Sequence, residues 1–476
     1  MFVSSCKSEA LCEPSKVVKH RQKGVDSMLE AKGAEVHAIY DPSKGIASTD
    51  PERMAISRVL FRGVAASRVA APWHDEAAMG KASQFWHPDS KLDEYYAWST
   101  DLTVSTETQT SSSSKHDNKN NNNNNLNNNN HNNNNSNNNN SSNNKSRSRN
   151  GRRHPAPIKI AFLSHNWNQP GNWDAVMGKG CSYASIKAAE ICGVAKDLAA
   201  LEFGDYTRWP EIHFWVDKCC IPQGDPELMA WCLDLLEEFI ALSDRLVVVL
   251  SWSYFERLWC VYEWVCFLVH KKASSITLCS DAFLRSRTLP LLLDSVKNFS
   301  LANCKCCVES DRQALEHKVD TYYVSRVAFE QLLKFTAIAF IARDMASKRS
   351  ASGADAIAPW VELSEECGFA DLAVCLTSLV GQLSSWRQDL GMRAGGQEDI
   401  QTAVTDAGAG CQEDVQTAIQ QKVEAWFAKD IDPLIEALKS DAVRDQARLT
   451  SKRMMTRGHG LTTQASTVPD VAAGPR

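Results

Sequence analysis

Glu263 stands where an α-helix should be apolar. In Leu258-Trp-Cys-Val-Tyr-Glu-Trp-Val-Cys-Phe-Leu268 its helical neighbours are Trp259, Cys260, Cys266 and Phe267, three and four positions away on the same face. A carboxylate in such a stripe gives up hydration, and leaving it unpaired costs several kcal/mol. It therefore takes a cationic partner, surrenders its charge through a raised pKa, or has a chemical task. The plain alternative is a salt bridge to an Arg or Lys of a neighbouring element. Glu256 has a simpler occupation: Ser253-Tyr-Phe-Glu256 fits a capping box, with Ser253 as N-cap and Glu256 at N3.

The elements that must position Glu263 are readable from periodicity. Ile158-Lys-Ile-Ala-Phe-Leu163 is a short apolar strand that runs into Ser164-His-Asn-Trp167 and a Gly/Asn/Pro loop. Ile191, Val194, Leu198 and Leu201 recur at helical spacing. A second strand, Ile212-His-Phe-Trp-Val216, ends at Asp217, and Lys218 to Pro226 reads as a loop. Leu228, Cys232, Leu235, Phe239 and Leu242 mark one further helix. Leu246-Val-Val-Val-Leu250, bounded by Asp244 and Ser251, is β-branched and apolar on both faces, as a central parallel strand is. A fourth strand is expected at about Ile276 to Cys279. Alternating strands and helices predict right-handed crossovers and a parallel sheet covered by helices.

In an open α/β sheet ligands bind beyond the carboxyl ends of the strands. That rule adds Ser164, His165, Asn166 and Trp167 after the first strand, Asp217 and Lys218 after the second, and Ser251 and Trp252 after the third. Trp259 joins them as a ring near Glu263. The competing readings are that Trp167 and Trp259 are core, that His165 is a hydrogen-bonded structural residue, and that Asp217 caps a turn.

Ile160-Ala-Phe-Leu-Ser164, Ile212-His-Phe-Trp-Val-Asp217, Arg245-Leu-Val-Val-Val-Leu-Ser251 and Arg257-Leu-Trp-Cys-Val-Tyr-Glu263 occur in that order. Together they resemble the first three strands and the Trp-Cys-x-x-Glu helix of Toll/interleukin-receptor (TIR) domains. Phe214-Trp-Val-Asp-Lys-Cys-Cys-Ile-Pro-Gln223, with Leu163-Ser-His-Asn-Trp167, is similar to the related heterokaryon-incompatibility domains and to TIR-like proteins of algae and protists. The resemblance implies a flavodoxin-like α/β fold, a parallel sheet flanked by helices, followed here by a helical C-terminal region. It implies cleavage of the nicotinamide–ribose bond of NAD as substrate, no bound cofactor, and Glu263 as the catalytic residue. Nicotinamide departs from NAD⁺ as a neutral molecule, so the group needing help is the oxocarbenium-like ribose, which one nearby carboxylate stabilises. Implied partners are a second copy of the chain or other TIR-like domains. The alternative is a non-catalytic adaptor using the same fold as an assembly surface.

Composition sets the frame. The 476 residues are 43% hydrophobic and 23% charged, with a formal net charge of −5; nothing draws the chain to nucleic acid or acidic membranes. The most apolar run, Leu246 to Val269, is interrupted by Glu256, Arg257 and Glu263, so no membrane span is expected. Residues 1–25 carry Lys16, Lys19, Arg21 and Lys23 without an apolar stretch between them. The 16 cysteines follow no regular frame, and Cys219-Cys220 and Cys304-Lys-Cys-Cys307 lack zinc spacing. Reduced thiols in a cytoplasmic protein, with no metal, is the reading.

Five segments are expected. Residues 1–103 are poorly defined, with a weak helix in the aromatic stretch Lys91 to Thr100 that packs on the domain beyond. Residues 104–156 are a disordered Asn-rich linker, closed by the basic cluster Lys145, Arg147, Arg149, Arg152 and Arg153. Residues 157–310 form the α/β domain and 311–450 a helical region, with helices over Ala314–Ala342, Ala358–Leu390 and Val423–Leu449. Within the latter region Gln397–Val404 is echoed by Gln412–Ile419. Residues 451–476 are a disordered tail.

Overall fold

The Val-Val-Val run does become the middle of a sheet. The computed structural model describes residues 51–88, 93–101, 159–348, 353–389 and 409–444, which all belong to one compact unit. The Asn-rich stretch, its basic cluster, the N-terminal lysines, the Gln397–Val404 copy and the 451–476 tail lie outside the described residues.

The fold is mixed α/β around a mostly parallel sheet. Its strands are β1 (Arg62–Ala65), β2 (Thr100–Asp101), β3 (Ile160–His165), β4 (His213–Trp215), β5 (Arg245–Val249) and β6 (Ile276–Cys279), in spatial order β2-β1-β4-β3-β5-β6. β3 pairs in parallel with β4 and β5, and β5 with β6. β1 pairs antiparallel with β4 and with β2. Every residue of β3 is buried, as are Leu246 to Val249 of β5. The register Phe162↔Trp215 lets those rings stack at 4.4 Å, and His165↔Val249 brings the carboxyl ends of β3 and β5 level.

The flanking helices are α1 (Pro51–Leu60), α2 (Glu76–Trp86), α3 (Tyr183–Phe203), α4 (Pro226–Asp234), α5 (Leu236–Leu242), α6 (Leu258–His270), α7 (Glu309–Tyr322) and α8 (Arg326–Lys348). α3 starts at Ser182, whose side chain accepts from the Ser185 amide, and ends at Gly204 with φ +69°, the left-handed turn that glycine makes without strain. Its apolar stripe buries Ile191, Val194 and Leu198, but Leu201 is 62% exposed. The single helix expected over 228–242 is divided at Leu235, where ψ opens to +11°.

The segment before the Asn-rich stretch supplies more than a weak helix. It adds β1 and β2 to the sheet edge and places a 3₁₀ turn at Asp93–Trp98. The expected packing of Tyr95 and its neighbours is present: Tyr95 lies edge-on to Phe85, with Lys218 Nζ above its ring. α1 is tied down by Arg53, which binds Glu238 Oε1 at 2.7 Å and Asp234 Oδ2 at 3.2 Å.

At the other edge, α8 covers β6. Arg343 donates to the Ile276 carbonyl at 2.8 Å, which satisfies an edge group that would otherwise invite another strand. Trp264 of α6 packs against Phe340 and donates to Thr336 Oγ1. The helix expected over 314–342 breaks at Tyr323–Ser325, since Tyr323 bridges to Val443. Gly368, with φ +81°, separates helices Gly353–Glu366 and Ala370–Asp389. Further on, Ala409–Trp426 is followed by a π-turn through Ile431 and by Asp432–Ala442. No helix among the described residues is long and apolar enough to cross a membrane.

Candidate active site at the strand ends

Three chain exits converge. β3 ends at Ser164 and His165 and passes to Asn166 and Trp167. β4 passes through Val216 to Asp217, which opens a single helical turn to Cys220. β5 passes through Leu250 to Ser251, Trp252 and Ser253, and α6 then returns with Glu263 in its second turn.

The capping box does not form. Ser253 makes no cap; it accepts instead from Asn166 Nδ2 at 2.9 Å. Glu256 is exposed and pairs with Lys305 at 2.5 Å. Backbone bonds from Lys305 N to Glu256 O and from Leu258 N to Lys305 O hold Arg257 extended, so α6 starts at Leu258. The sequence pattern matched, but a pairing 49 residues distant took the chain ends first.

Glu263 is 8% exposed. Its partner is not an Arg or Lys: Ser164 Oγ lies 2.5 Å from Oε2, and no ion pair to this carboxyl forms among the described residues. Ser164 Oγ is also 2.7 Å from the Tyr254 hydroxyl, which donates to the Cys260 carbonyl at 3.0 Å. Counting protons decides the state of this chain. Each hydroxyl has one proton and the Cys260 carbonyl has none. If Glu263 is ionised and receives Ser164, the Ser164–Tyr254 contact lacks a proton. If Glu263 is protonated, protons run from Glu263 to Ser164, to Tyr254, to Cys260 O, and every contact is satisfied. Burial acts the same way, pushing the carboxyl up to about 8; the Ser164 bond opposes that rise, the Asp217 charge adds to it, and Arg257 opposes it. Glu263 is a neutral acid at rest.

A second polar cluster lies alongside. Asp217 accepts from Trp167 Nε1 at 2.6 Å, from the Lys218 amide at 2.6 Å and from His165 Nε2 at 3.3 Å. On the far side of the imidazole, Lys187 Nζ is 3.0 Å from Nδ1 and 2.7 Å from the Asn166 carbonyl. Lysine nitrogen brings the donor hydrogens, so Nδ1 accepts and His165 carries its proton on Nε2, facing Asp217. Burial, joined by the Lys187 charge, brings His165 down to about 4 against the pull of Asp217, so the ring is neutral. Burial and Lys218 bring Lys187 down to about 7, with Asp217 opposing. Burial acts to raise Asp217, but its hydrogen bonds prevail and its pKa is lowered. Its side chain keeps 29% of its surface exposed. Asp217 and the half-buried Trp167 are therefore where this cluster meets solvent.

Among the expected residues, Ser164 and Glu263 form one unit, and His165, Trp167 and Asp217 another. Asn166 ties the β3 exit to the β5 exit through Ser253, and Ser253 is 3.3 Å from Ser251 Oγ. Lys218 turns away: its ammonium donates to the carbonyls of Phe85 (2.5 Å) and His87 (2.9 Å). Trp252 stacks on Trp173 in a small aromatic cluster with Tyr183 and Phe283. Trp259 is directed to α7, donating to Asp311 at 3.3 Å, and does not join the strand-end groups.

No protein-family model, no curated protein and no solved structure matches this chain.

Sequence reasoning missed Lys187, Tyr254 and Trp86. Lys187 had a signal: with Ile191, Val194 and Leu198 it continues one helical stripe at spacings of four, three and four, so it is a charge among apolar residues just as Glu263 is. Trp86 had none, because its contact with His165 (centroids 4.9 Å apart) joins segments far apart in the chain. The described cysteines are all free thiols, and no cluster of metal-ligating side chains is found among the described residues.

Proposed function

We propose that this unit is a flavodoxin-like, TIR-like domain that hydrolyses the nicotinamide–ribose bond of NAD, with Glu263 stabilising the oxocarbenium-like ribose. One observation carries the reading. Glu263 is a buried acid without a counter-ion among the described residues, poised at the carboxyl ends of parallel strands and touched by a single hydroxyl. A structural carboxylate at such depth is ordinarily paired; this one is left available. The parallel strands lie in the order second, first, third, fourth, which supports the flavodoxin-like assignment.

At rest Glu263 holds its proton. A pyridinium cation arriving nearby favours the ionised form, so substrate binding itself prepares the carboxylate. As the bond to nicotinamide breaks, positive charge moves onto the ribose, and the carboxylate in its low-dielectric setting stabilises that charge more than it stabilised the ground state. Asp217, already ionised, adds to the negative potential. Water then attacks the ribose. The reading includes a cytoplasmic site of action and activity in a homo-oligomer or with other TIR-like domains, in signalling.

The test is nicotinamide release from NAD by the whole chain. Glu263→Gln is expected to lower the rate by about 10²–10³-fold, the loss typical for removing one electrostatic stabiliser. Wild-type activity is expected to rise with pH towards 8, since the working form is ionised. Equal rates in the two proteins sink the mechanism. A non-catalytic assembly module is the second reading, favoured by the exposed Leu201 and Tyr206, each 62% accessible, where α3 meets the next turn; absence of release from concentrated wild-type protein would select it.

A further inference from the structure

Lys187 is a charge that the cleavage mechanism does not use. It lies in the second turn of α3 with none of its surface exposed. No carboxylate forms an ion pair with its ammonium among the described residues. Its Nζ reaches His165 Nδ1 at 3.0 Å and the Asn166 carbonyl at 2.7 Å. The rings of Trp86 and Tyr183 enclose it, with centres 4.8 and 4.9 Å away. A lysine kept at such depth for stability ordinarily has a carboxylate, and methionine would fill the space without a charge to bury. Both groups that Lys187 holds are acceptors, and the amine is the donor between them.

Asp217, beyond the imidazole, has an acceptor position to spare. An ionised carboxylate offers about four lone-pair positions. Oδ1 receives His165 Nε2 at 3.3 Å and the Lys218 amide at 2.6 Å, and Oδ2 receives Trp167 Nε1 at 2.6 Å. The remaining position is on Oδ2, and the side chain keeps 29% of its surface exposed. The half-buried indole of Trp167 stands beside it. An ionised oxygen open to solvent takes a donor such as a hydroxyl, as acids in nucleotide-binding α/β sheets take those of ribose. The Asp217 charge also acts on Glu263, so the ribose it serves is the one beside the bond to be cut.

We infer that Lys187 is a positioning residue: by donating to Nδ1 it holds His165 as the Nε2–H tautomer, and so holds Asp217 with Oδ2 free for a ribose hydroxyl of the substrate. The inference rests on the NAD reading for the ribose, but not for the chain of donors from Lys187 through His165 to Asp217. Without the amine, two acceptors face each other in a dry site with no donor between them, which is costly. A proton on Nδ1 repairs that. If it comes from Nε2, the Nε2 lone pair is turned on Asp217. If it is an added proton, the carboxylate is paired with a cation and holds an outside hydroxyl less strongly.

The test uses the whole chain, ¹⁵N spectra of the His165 ring, and ADP-ribose as a probe that has no nicotinamide to lose. At pH 7 the wild type is expected to show a bare Nδ1 and a protonated Nε2, and Lys187→Met a protonated Nδ1. Wild-type protein is expected to bind ADP-ribose at least tenfold tighter than ADP, which lacks the second ribose, the worth of one hydrogen bond to a charged group. Asp217→Asn and Lys187→Met are each expected to remove most of that advantage. The double variant is expected to lose no more than Asp217→Asn alone, since both changes act through one carboxylate. If Lys187→Met fails to fold, Lys187→Gln, one atom shorter and uncharged, replaces it with the same expectations. A protonated Nδ1 in the wild type, a ring spectrum unmoved by the variant, an ADP-ribose advantage that is absent or survives Asp217→Asn, or losses that add, each overturns the inference. The expected results without nicotinamide release from NAD sink the cleavage reading alone. Release that neither variant slows sinks the positioning role and spares cleavage.

Discussion

Glu263→Gln is expected to stabilise the protein at pH 9 while slowing nicotinamide release by about 10²–10³-fold. The carboxyl is pushed up to about 8 in the fold from an ordinary 4.5, so the folded protein holds this proton more tightly than the unfolded chain. Its contribution to stability is therefore complete below about pH 4.5 and is lost as pH rises through about 8. At about 1.4 kcal/mol per pKa unit, the penalty at high pH is on the order of 3–5 kcal/mol. Glutamine is close in shape and keeps a donor for Ser164, which preserves the onward bonds to Tyr254 and the Cys260 carbonyl without the ionisation. Urea unfolding at pH 5 and pH 9 reads the effect. The variant is expected to match the wild type at pH 5 and exceed it at pH 9. A variant that is weaker at pH 9 would mean that Glu263 is charged and paired in the fold. Gain of stability with loss of activity is what a functional residue held against its preference produces.

Lys318→Met should give the largest loss. Glu237 is 2% exposed and receives Lys318 Nζ at 2.9 Å, the Tyr262 hydroxyl, and the Tyr322 hydroxyl at 3.3 Å. Burial acts to lower Lys318, but the Glu237 charge outweighs it and the lysine pKa is raised. Removing the cation leaves a carboxylate in the interior with only two phenols, and breaking such a buried pair costs about 3–5 kcal/mol. Adding Glu237→Gln is expected to restore most of the loss, because the variant pair then buries no net charge. A single variant that unfolds at the wild-type urea concentration would show that water already reaches Glu237. The pair joins α5 to α7, so the expected loss also tests whether the helices after residue 310 unfold with the sheet in one transition.

β3, β5 and β6 were legible in the sequence because a parallel strand buried on both faces must be apolar throughout, and that demand is written locally. Glu263 was legible for the complementary reason, as a charge breaking a helical stripe. Lys187 breaks a stripe equally, but it lies one turn before the apolar repeat that begins at Ile191. β1 and β2 were not legible. Arg62-Gly-Val-Ala65 and Thr100-Asp101 are too short and too ordinary in composition to read as strands, and they exist because β4 offers an edge.

The amino-acid sequence by itself determined which segments must be buried and which charges would then be anomalous, because hydrophobic periodicity needs only neighbours in the chain. Tertiary structure alone decided the partners. Ser164 rather than an arginine meets Glu263 across 99 residues, Lys305 takes Glu256 from its cap, and the end of α2 settles on Lys218, 133 residues away at the Phe85 carbonyl. These pairings depend on which surfaces arrive together when the sheet closes, and no local pattern records that.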